Sequence, residues 1–135
     1  MTATEQAALE EWCELLNRGD YFRAHEVLEQ AWLAAREPEK TFLKGLIHVA
    51  VALYHYRRGN AHGARVKFRS ARGYLSGYAP EYADVQVAAL LQDLDRFFRP
   101  LLQTPAGAPP PEPEGPWPRV VRLPGGDEGD SVPDG

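Results

Sequence analysis

The segment FLKGLIHVAVALYHYRRG, from Phe42 to Gly59, is apolar on nearly every side when it is drawn as a helix. A surface helix carries one apolar stripe, whereas a helix that is apolar all round must be covered by neighbours on most of its surface. The segment therefore predicts a central, buried helix with other helices packed around it. This requirement constrains the fold more than any other feature of the sequence.

Helix-period patterns and their punctuation predict five helices, over about residues 4–17, 20–36, 38–58, 60–78 and 81–102. Asp20 and Asn60 precede the second and fourth of them as candidate N-caps, which are favoured positions for short polar side chains. We therefore predict an all-α fold, with a helical bundle over residues 1–102.

A faint internal repeat links the two halves of this bundle. RGDYFRA begins at Arg18 and RGNAHGA at Arg58, a shift of 40 residues, and each motif marks the turn of a helical hairpin. Tetratricopeptide arrays are built from such hairpins, but their period is about 34 residues and at least three units are usually needed. Two hairpins plus a C-terminal helix predict a compact bundle of tetratricopeptide-like character, not an open solenoid.

Residues 103–135 differ in character, with nine prolines, six glycines and no helical period. Such a composition is typical of disordered or polyproline-like segments. Within it, WPRVVRL offers Trp117, Val120, Val121 and Leu123 as anchors for an extended segment on the bundle. The sequence leaves two interpretations open, docking on the chain's own apolar surface or recruitment of a partner.

The charges are distributed unevenly. Residues 40–80 contain eight basic side chains and no acid, while the rest of the chain carries 7 basic and 19 acidic ones. The basic stretch either pairs with acidic neighbours inside the molecule or forms a patch for an anionic partner. Nucleic acid is disfavoured as that partner, because the chain as a whole is acidic and no recognised binding motif surrounds these charges.

The cellular setting is also constrained. Cys13 is the single cysteine, so no internal disulfide is available, as expected for a reducing cytoplasm. No stretch approaches 18 uncharged apolar residues, and the acidic N-terminus does not resemble a signal peptide. We expect a cytoplasmic protein without a membrane span.

The second predicted helix, FRAHEVLEQAW, places polar groups beside its apolar stripe. Glu29 lies about 40° from His25 around the helix, between apolar positions, while Glu26 lies at the rim at about 100°. Trp32 lies on the other side of His25. Burying an unpaired carboxylate is costly, so an inward-facing Glu29 needs a partner.

The central helix offers that partner in His48 and His55, which are seven residues apart on one stripe. Gly45 lies on the same side, so a neighbouring helix can approach closely. If the second and third helices pack together, His25, Glu29, His48 and His55 are expected to converge.

Four interpretations of this His/Glu/Trp cluster follow. His25, Glu29 and His55 are candidate ligands for a divalent metal such as zinc, in a hydrolase-type enzyme, although the pattern is HExxE and not the HExxH of zinc proteases. Alternatively, the histidines and Trp32 line a pocket for a small anionic ligand, with Lys44 and Arg58 nearby. The other two interpretations are a protein-interaction scaffold and a purely structural hydrogen-bond network. We favour a binding or interaction module, and the sequence defines no oligomeric state.

Two segments resemble a known family. The HExxExxW pattern from His25 to Trp32 and the YHxxRGN pattern from Tyr54 to Asn60 resemble the bacterial and archaeal helical family called domain of unknown function 309. The resemblance covers roughly residues 20–75 and excludes the proline-rich tail. It implies a compact all-α fold with some tetratricopeptide-like character and no established activity.

The resemblance also implies which polar side chains are characteristic of the family, namely His25, Glu26, Glu29, Trp32, His55 and Asn60. At His48 the family commonly has glutamine. That departure favours a hydrogen-bonding role for position 48 over an essential metal-ligating one.

Overall fold

Five α-helices form the fold of residues 1–123, the part of the chain that the structure, a computed structural model, describes. They are α1 (Ala3–Asn17), α2 (Tyr21–Ala34), α3 (Glu39–Arg57), α4 (Ala61–Leu75) and α5 (Val87–Leu102), with a 3₁₀ turn at Ser76–Tyr78. The predicted all-α bundle of about five helices is confirmed. No helix within these residues combines the length and hydrophobicity that crossing a bilayer requires.

Helix α3 lies at the centre, as its sequence predicts. It packs against α2 on one side and α4 on the other, and ten of its nineteen residues are buried. The approach to α4 is close because residue 45 has no side chain, and Gly45 lies directly against Leu75 and Tyr74. Only a narrow stripe of α3 keeps partial contact with solvent.

The two hairpin turns have the same backbone geometry. Gly19 and Gly59 adopt positive φ angles of 81° and 83°, which glycine tolerates without steric cost. One residue further on, the N–H of Asp20 donates to the carbonyl of Leu15, and the N–H of Asn60 donates to the carbonyl of His55, at 2.9 and 2.8 Å. This is the six-to-one bond of a Schellman helix end, so the 40-residue repeat marks two equivalent turns.

The fifth helix begins six residues later than its periodicity predicts. Before it, Tyr82 and Val85 exchange two backbone hydrogen bonds of 3.0 and 2.8 Å, which close a tight turn. Ala83 and Asp84 inside that turn have positive φ angles, which a helix excludes. The predicted bound at Glu81 is therefore wrong, and α5 begins at Val87.

The segment after α5 is docked on the bundle as far as Leu123. The Trp117 ring packs among Tyr21, Tyr56 and Phe97, with ring centroids 4.7 to 5.8 Å away. The Asn17 amide donates to the Val120 carbonyl and accepts from the Val120 N–H, both at 2.9 Å. Residues 124–135 of the predicted tail lie outside the described residues.

Of the four anchors predicted in WPRVVRL, only two serve as such. Trp117 packs as described and Val120 is buried, whereas Val121 and Leu123 are largely exposed. Their backbones instead hold the segment, because the Val121 carbonyl accepts from Gln86 and the Leu123 N–H donates to the Asp84 carbonyl.

The close approach at Gly45 leads to a stability prediction. An added Cβ would lie 2.6 Å from Leu75 Cγ, and Leu75 is fully buried, so its side chain has little room to move. We expect Gly45→Ala to destabilise the fold by about 1–2 kcal/mol, since overpacking outweighs the helix-propensity gain. Denaturant unfolding monitored by circular dichroism measures this change.

The matched control is Gly73→Ala in α4. A Cβ at Gly73 meets no atom of the described residues within 4 Å, so only the helix-propensity gain remains. We expect this variant to be more stable by about 0.5–1 kcal/mol. Equal effects of the two substitutions would contradict the packing assigned to Gly45.

Candidate functional site

Glu29 does not face the core, and that expectation is wrong. Its side chain is 52% exposed, and Glu26 is exposed as well. The apolar neighbours expected to bury Glu29 lie on the surface themselves, with Phe22 46% and Leu33 63% exposed. The polar edge of α2 therefore begins closer to His25 than the hydrophobic pattern indicates.

The buried carboxylate of the described chain is Glu5. It closes a capping box at the start of α1, in which Glu5 accepts from the Thr2 N–H and the Thr2 hydroxyl accepts from the Glu5 N–H, both at 3.0 Å. The signal was present in the sequence, because Thr-x-x-Glu before an apolar run is the signature of this motif.

His25 is oriented by its own helix. Its Nδ1 lies 2.7 Å from the Phe22 carbonyl oxygen, so Nδ1 carries a proton and donates. Its Nε2 lies 3.8 Å from a carboxylate oxygen of Glu29, and its ring packs edge-on against Phe22. The predicted His25–Glu29 pair thus exists as a surface pair.

His55 turns toward the start of α4. Asn60 caps α4 by accepting from the Gly63 N–H at 2.9 Å, which leaves its amide nitrogen 3.3 Å from His55 Nδ1. Since the amide nitrogen donates, His55 Nδ1 accepts. Burial, Lys67 and Arg58 lower the pKa of His55, in agreement with this neutral state.

His48 is the most perturbed titrating group of this region. Its ring meets Tyr74 of α4 edge-on at 5.3 Å, and its buried Nδ1 has no hydrogen-bond partner among residues 1–123. Burial first, then Lys67 and Lys44, lower the pKa of His48 to about 4. The side chain is therefore neutral at physiological pH.

Trp32 lies beneath two lysines. The ammonium groups of Lys40 and Lys44 lie 4.7 and 5.6 Å from its ring centroid, and Lys40 also donates to the Trp32 carbonyl at 2.9 Å. Lys44 contacts the Tyr74 ring as well, at 5.3 Å. Lys44 thus bridges an aromatic ring of α2 and one of α4 across α3.

The predicted metal-ligand set of His25, Glu29 and His55 is not assembled. Within residues 1–123, no group of three or more histidine, cysteine, aspartate or glutamate side chains is placed to hold one metal ion. The reason is local, because His55 is held toward Asn60 while Glu29 points into solvent. His48 packs edge-on against Tyr74 of α4.

The structure instead brings these residues together as one surface, which we call the α2–α3–α4 face. Each helix contributes a stripe of partly exposed side chains at three- and four-residue spacing. The face comprises Phe22, His25, Glu29 and Trp32 of α2, Lys44, His48, Val51, His55 and Arg58 of α3, and Gly63, Lys67, Ser70 and Tyr74 of α4, with Lys40 and Tyr54 beside them.

Within the described part of the chain, the cations of this face lack acidic partners. Of the eight basic side chains between Lys40 and Arg72, only Arg72 forms an ion pair with a carboxylate of residues 1–123, with Asp95 of α5. All three lysines of the protein lie on the face. Internal pairing, one of the two interpretations of the basic stretch, therefore accounts for one of its eight charges.

Sequence reasoning named part of this face. It missed Lys67 and Tyr74, which belong to α4, and the exposed ring of Phe22, which lies one turn before His25 on α2. Charge and helix periodicity together would have indicated the face. Every lysine lies in the acid-free stretch, and each is on the partly exposed side of its helix.

Comparison with known proteins identifies a family model and similar proteins. Residues 9–66 match the family model described as a domain of unknown function, DUF309. An uncharacterized protein of Aquifex aeolicus (strain VF5) is 47% identical over 45 residues, which are 33% of this chain and 14% of that protein. The uncharacterized protein YpuF of Bacillus subtilis (strain 168) is 47% identical over 47 residues, 34% of this chain and 27% of that protein.

The resemblance expected from the two motifs is thus confirmed, and it extends from α1 into α4. The matched segment spans less than a third of either relative. Neither name assigns an activity.

The environment of His48 predicts a pH dependence of stability. In the unfolded chain His48 takes up a proton near pH 6.5, whereas in the folded protein it stays neutral down to about pH 4. Stability is therefore fully present above about pH 6.5 and decreases as the pH falls toward 4. We expect His48→Gln, which cannot take up this proton, to flatten the dependence in thermal unfolding between pH 7 and 4.

The control for this measurement is His62→Gln, on the exposed side of α4. We expect it to leave the dependence of the unfolding temperature on pH unchanged. A titration of His48 followed by NMR near pH 6.5 would contradict the assignment directly.

Proposed function

With residues 9–66 matched to the domain of unknown function 309, a description that assigns no activity, we propose that this chain is a protein-interaction module. Its α2–α3–α4 face binds an acidic segment of a partner protein. The observation that carries the proposal is the unpaired charge of that face, where Lys40, Lys44, Lys67 and Arg58 have no carboxylate partner within residues 1–123.

The charge is notable because acids are abundant elsewhere. The chain has a net charge of −4, with 19 acidic side chains available for pairing. A cationic surface on an acidic protein attracts anionic partners by long-range steering and discriminates against cationic ones. The acids of the face, Glu29 and the neighbouring Glu26, lie at the rim on α2, while α3 and α4 contribute cations to it.

Aromatic and apolar side chains lie between and beside these cations. Trp32 and Tyr74 support Lys44, and Tyr54 supports Arg58, whose guanidinium lies 5.3 Å from the ring centroid and donates to the Tyr54 hydroxyl. At the edges, Phe22, Leu33 and Val66 are exposed by 43% to 63%. Interfaces are enriched in aromatic residues and arginine, and such residues supply most of the binding energy.

The dimensions of the face favour a polypeptide over a small molecule. The α3 stripe runs from Lys44 to Arg58, which at 1.5 Å per residue is about 20 Å. Small-molecule sites are concave and enclose most of the ligand, whereas an elongated face of this length suits a helix or an extended segment. An acidic segment with apolar side chains matches both the charge and the exposed rings.

A cytoplasmic setting fits this proposal, because Cys13 is the single cysteine of the chain and cannot form an internal disulfide. The Cys13 thiol is buried in α1, and burial raises its pKa to about 12. The thiol is therefore protonated and poorly reactive at physiological pH. It has no role in the proposed binding.

A displayed library of random peptides tests the proposal directly, because the library itself supplies candidate acidic segments. We expect the selected peptides to combine several Asp or Glu residues with apolar anchors. The double variant Lys44→Glu, Lys67→Glu reverses two charges in the centre of the face. We expect it to weaken binding of a selected peptide at least tenfold in about 0.15 M salt.

The matched control is the double variant Arg23→Glu, Arg69→Glu. It changes the net charge by the same amount, but both arginines lie on the exposed surface outside the face. We expect nearly unchanged affinity. Selection of peptides without acidic enrichment, or equal losses in the two double variants, would refute a localised acidic-peptide site.

A further inference from the structure

A second basic region lies on a different side of the molecule. A cleft of about 370 Å³ separates the turn between α1 and α2 from the docked C-terminal segment. Arg18 and Tyr21 line one side, Arg57 of α3 lies beside them, and Trp117 and Arg119 close the other side. The proposed interaction face does not include any of these residues.

Three arginines therefore line one cleft, and no Asp or Glu is among the described residues that line it. Guanidinium groups stay charged at any physiological pH, and their paired N–H donors match the oxygens of phosphate. A cleft of this volume is within the range of small-molecule sites and exceeds what a single ion needs.

Backbone carbonyls around the cleft accept hydrogen bonds from only some of the guanidinium N–H groups. Arg57 donates to the Gly19 carbonyl and its guanidinium stacks on the Tyr21 ring, with 4.6 Å from Cζ to the centroid. Arg119 donates to the Asn17 carbonyl at 3.4 Å, a long bond. These carbonyls lie at the C-terminal end of α1, where cations are favoured. Each guanidinium has five N–H donors, so these bonds leave most of the donors of Arg57 and Arg119 for a ligand.

The C-terminal segment is held rigidly where it completes the cleft. The backbone N–H of Arg119 donates to Asp93 of α5 at 3.1 Å, and its neighbours Pro118 and Val120 are buried. The ring of Trp117 is fixed by the Tyr21, Tyr56 and Phe97 rings. The position of Arg119 is thus determined by the docking of this segment on the bundle.

From this arrangement we infer that the cleft binds a small molecule carrying a diphosphate or longer polyphosphate group. The phosphate oxygens accept from Arg18, Arg57 and Arg119, and the C-terminal segment supplies one wall of the site. This gives the WPR part of WPRVVRL a binding role that the proposed interaction face does not use.

Isothermal titration of the full chain with inorganic pyrophosphate tests the inference, with ADP in a parallel titration. NMR places the site, since we expect the indole N–H signal of Trp117 to shift on binding. ADP binding more tightly than pyrophosphate identifies a nucleotide, while equal affinities identify the polyphosphate group alone as the recognised element. Affinity is expected to fall as salt is raised.

Two exposed arginines allow the site to be altered without disturbing the core. We expect Arg18→Gln and Arg119→Gln each to weaken pyrophosphate binding about tenfold, because each removes one charged donor. The control Arg23→Gln removes an exposed arginine of α2 that pairs with Asp20 outside the cleft, and should leave the affinity unchanged. Absence of binding at millimolar pyrophosphate, or binding that neither cleft variant weakens, overturns the inference.

Discussion

The covering of α3 is the constraint on which the rest of the structure depends. A helix that is apolar on nearly all sides has to be enclosed by other parts of the chain. Helices α2 and α4 pack along α3, and the C-terminal segment contacts its end, where Tyr56 donates to the Pro111 carbonyl. Gly45 permits a close approach of α4, whose Leu75 and Tyr74 side chains lie directly on the α3 backbone. Because α2 and α4 flank α3, one narrow stripe is left partly open, and the chemistry of that stripe defines the proposed interaction face.

The open stripe of α3 carries Lys44 and Arg58 beside its histidines, and no acidic side chain. Lysine stems can cover apolar surface while their ammonium groups remain hydrated, and the rings of Trp32 and Tyr74 attract Lys44 electrostatically. Burial first, and then nearby cations of this surface, lower the pKa of His48 and of His55. The histidines are thus polar members of a cationic surface.

The sequence predicted the helices because periodicity and glycine punctuation report directly on local structure. It also predicted the repeated turn at Gly19 and Gly59 and the central position of α3, since neither depends on side-chain detail. The inward-facing position expected for Glu29 was wrong for a geometric reason. Glu29 lies only about 40° from His25, and a rotation of this size, set by the packing of α2, decides whether a side chain faces the core or water.

The short motif at the end of α3 separates the two surfaces of the molecule. In YHYRRG, three side chains belong to the α2–α3–α4 face, namely Tyr54, His55 and Arg58. Between them, Tyr56 donates to the Pro111 carbonyl, and Arg57 lines the cleft beside the C-terminal segment. Neighbouring residues of this one turn of helix therefore belong to different proposed sites. Lys44 and Lys67 on one side, and Arg18 and Arg119 on the other, lie outside this motif, and each pair belongs to one surface only.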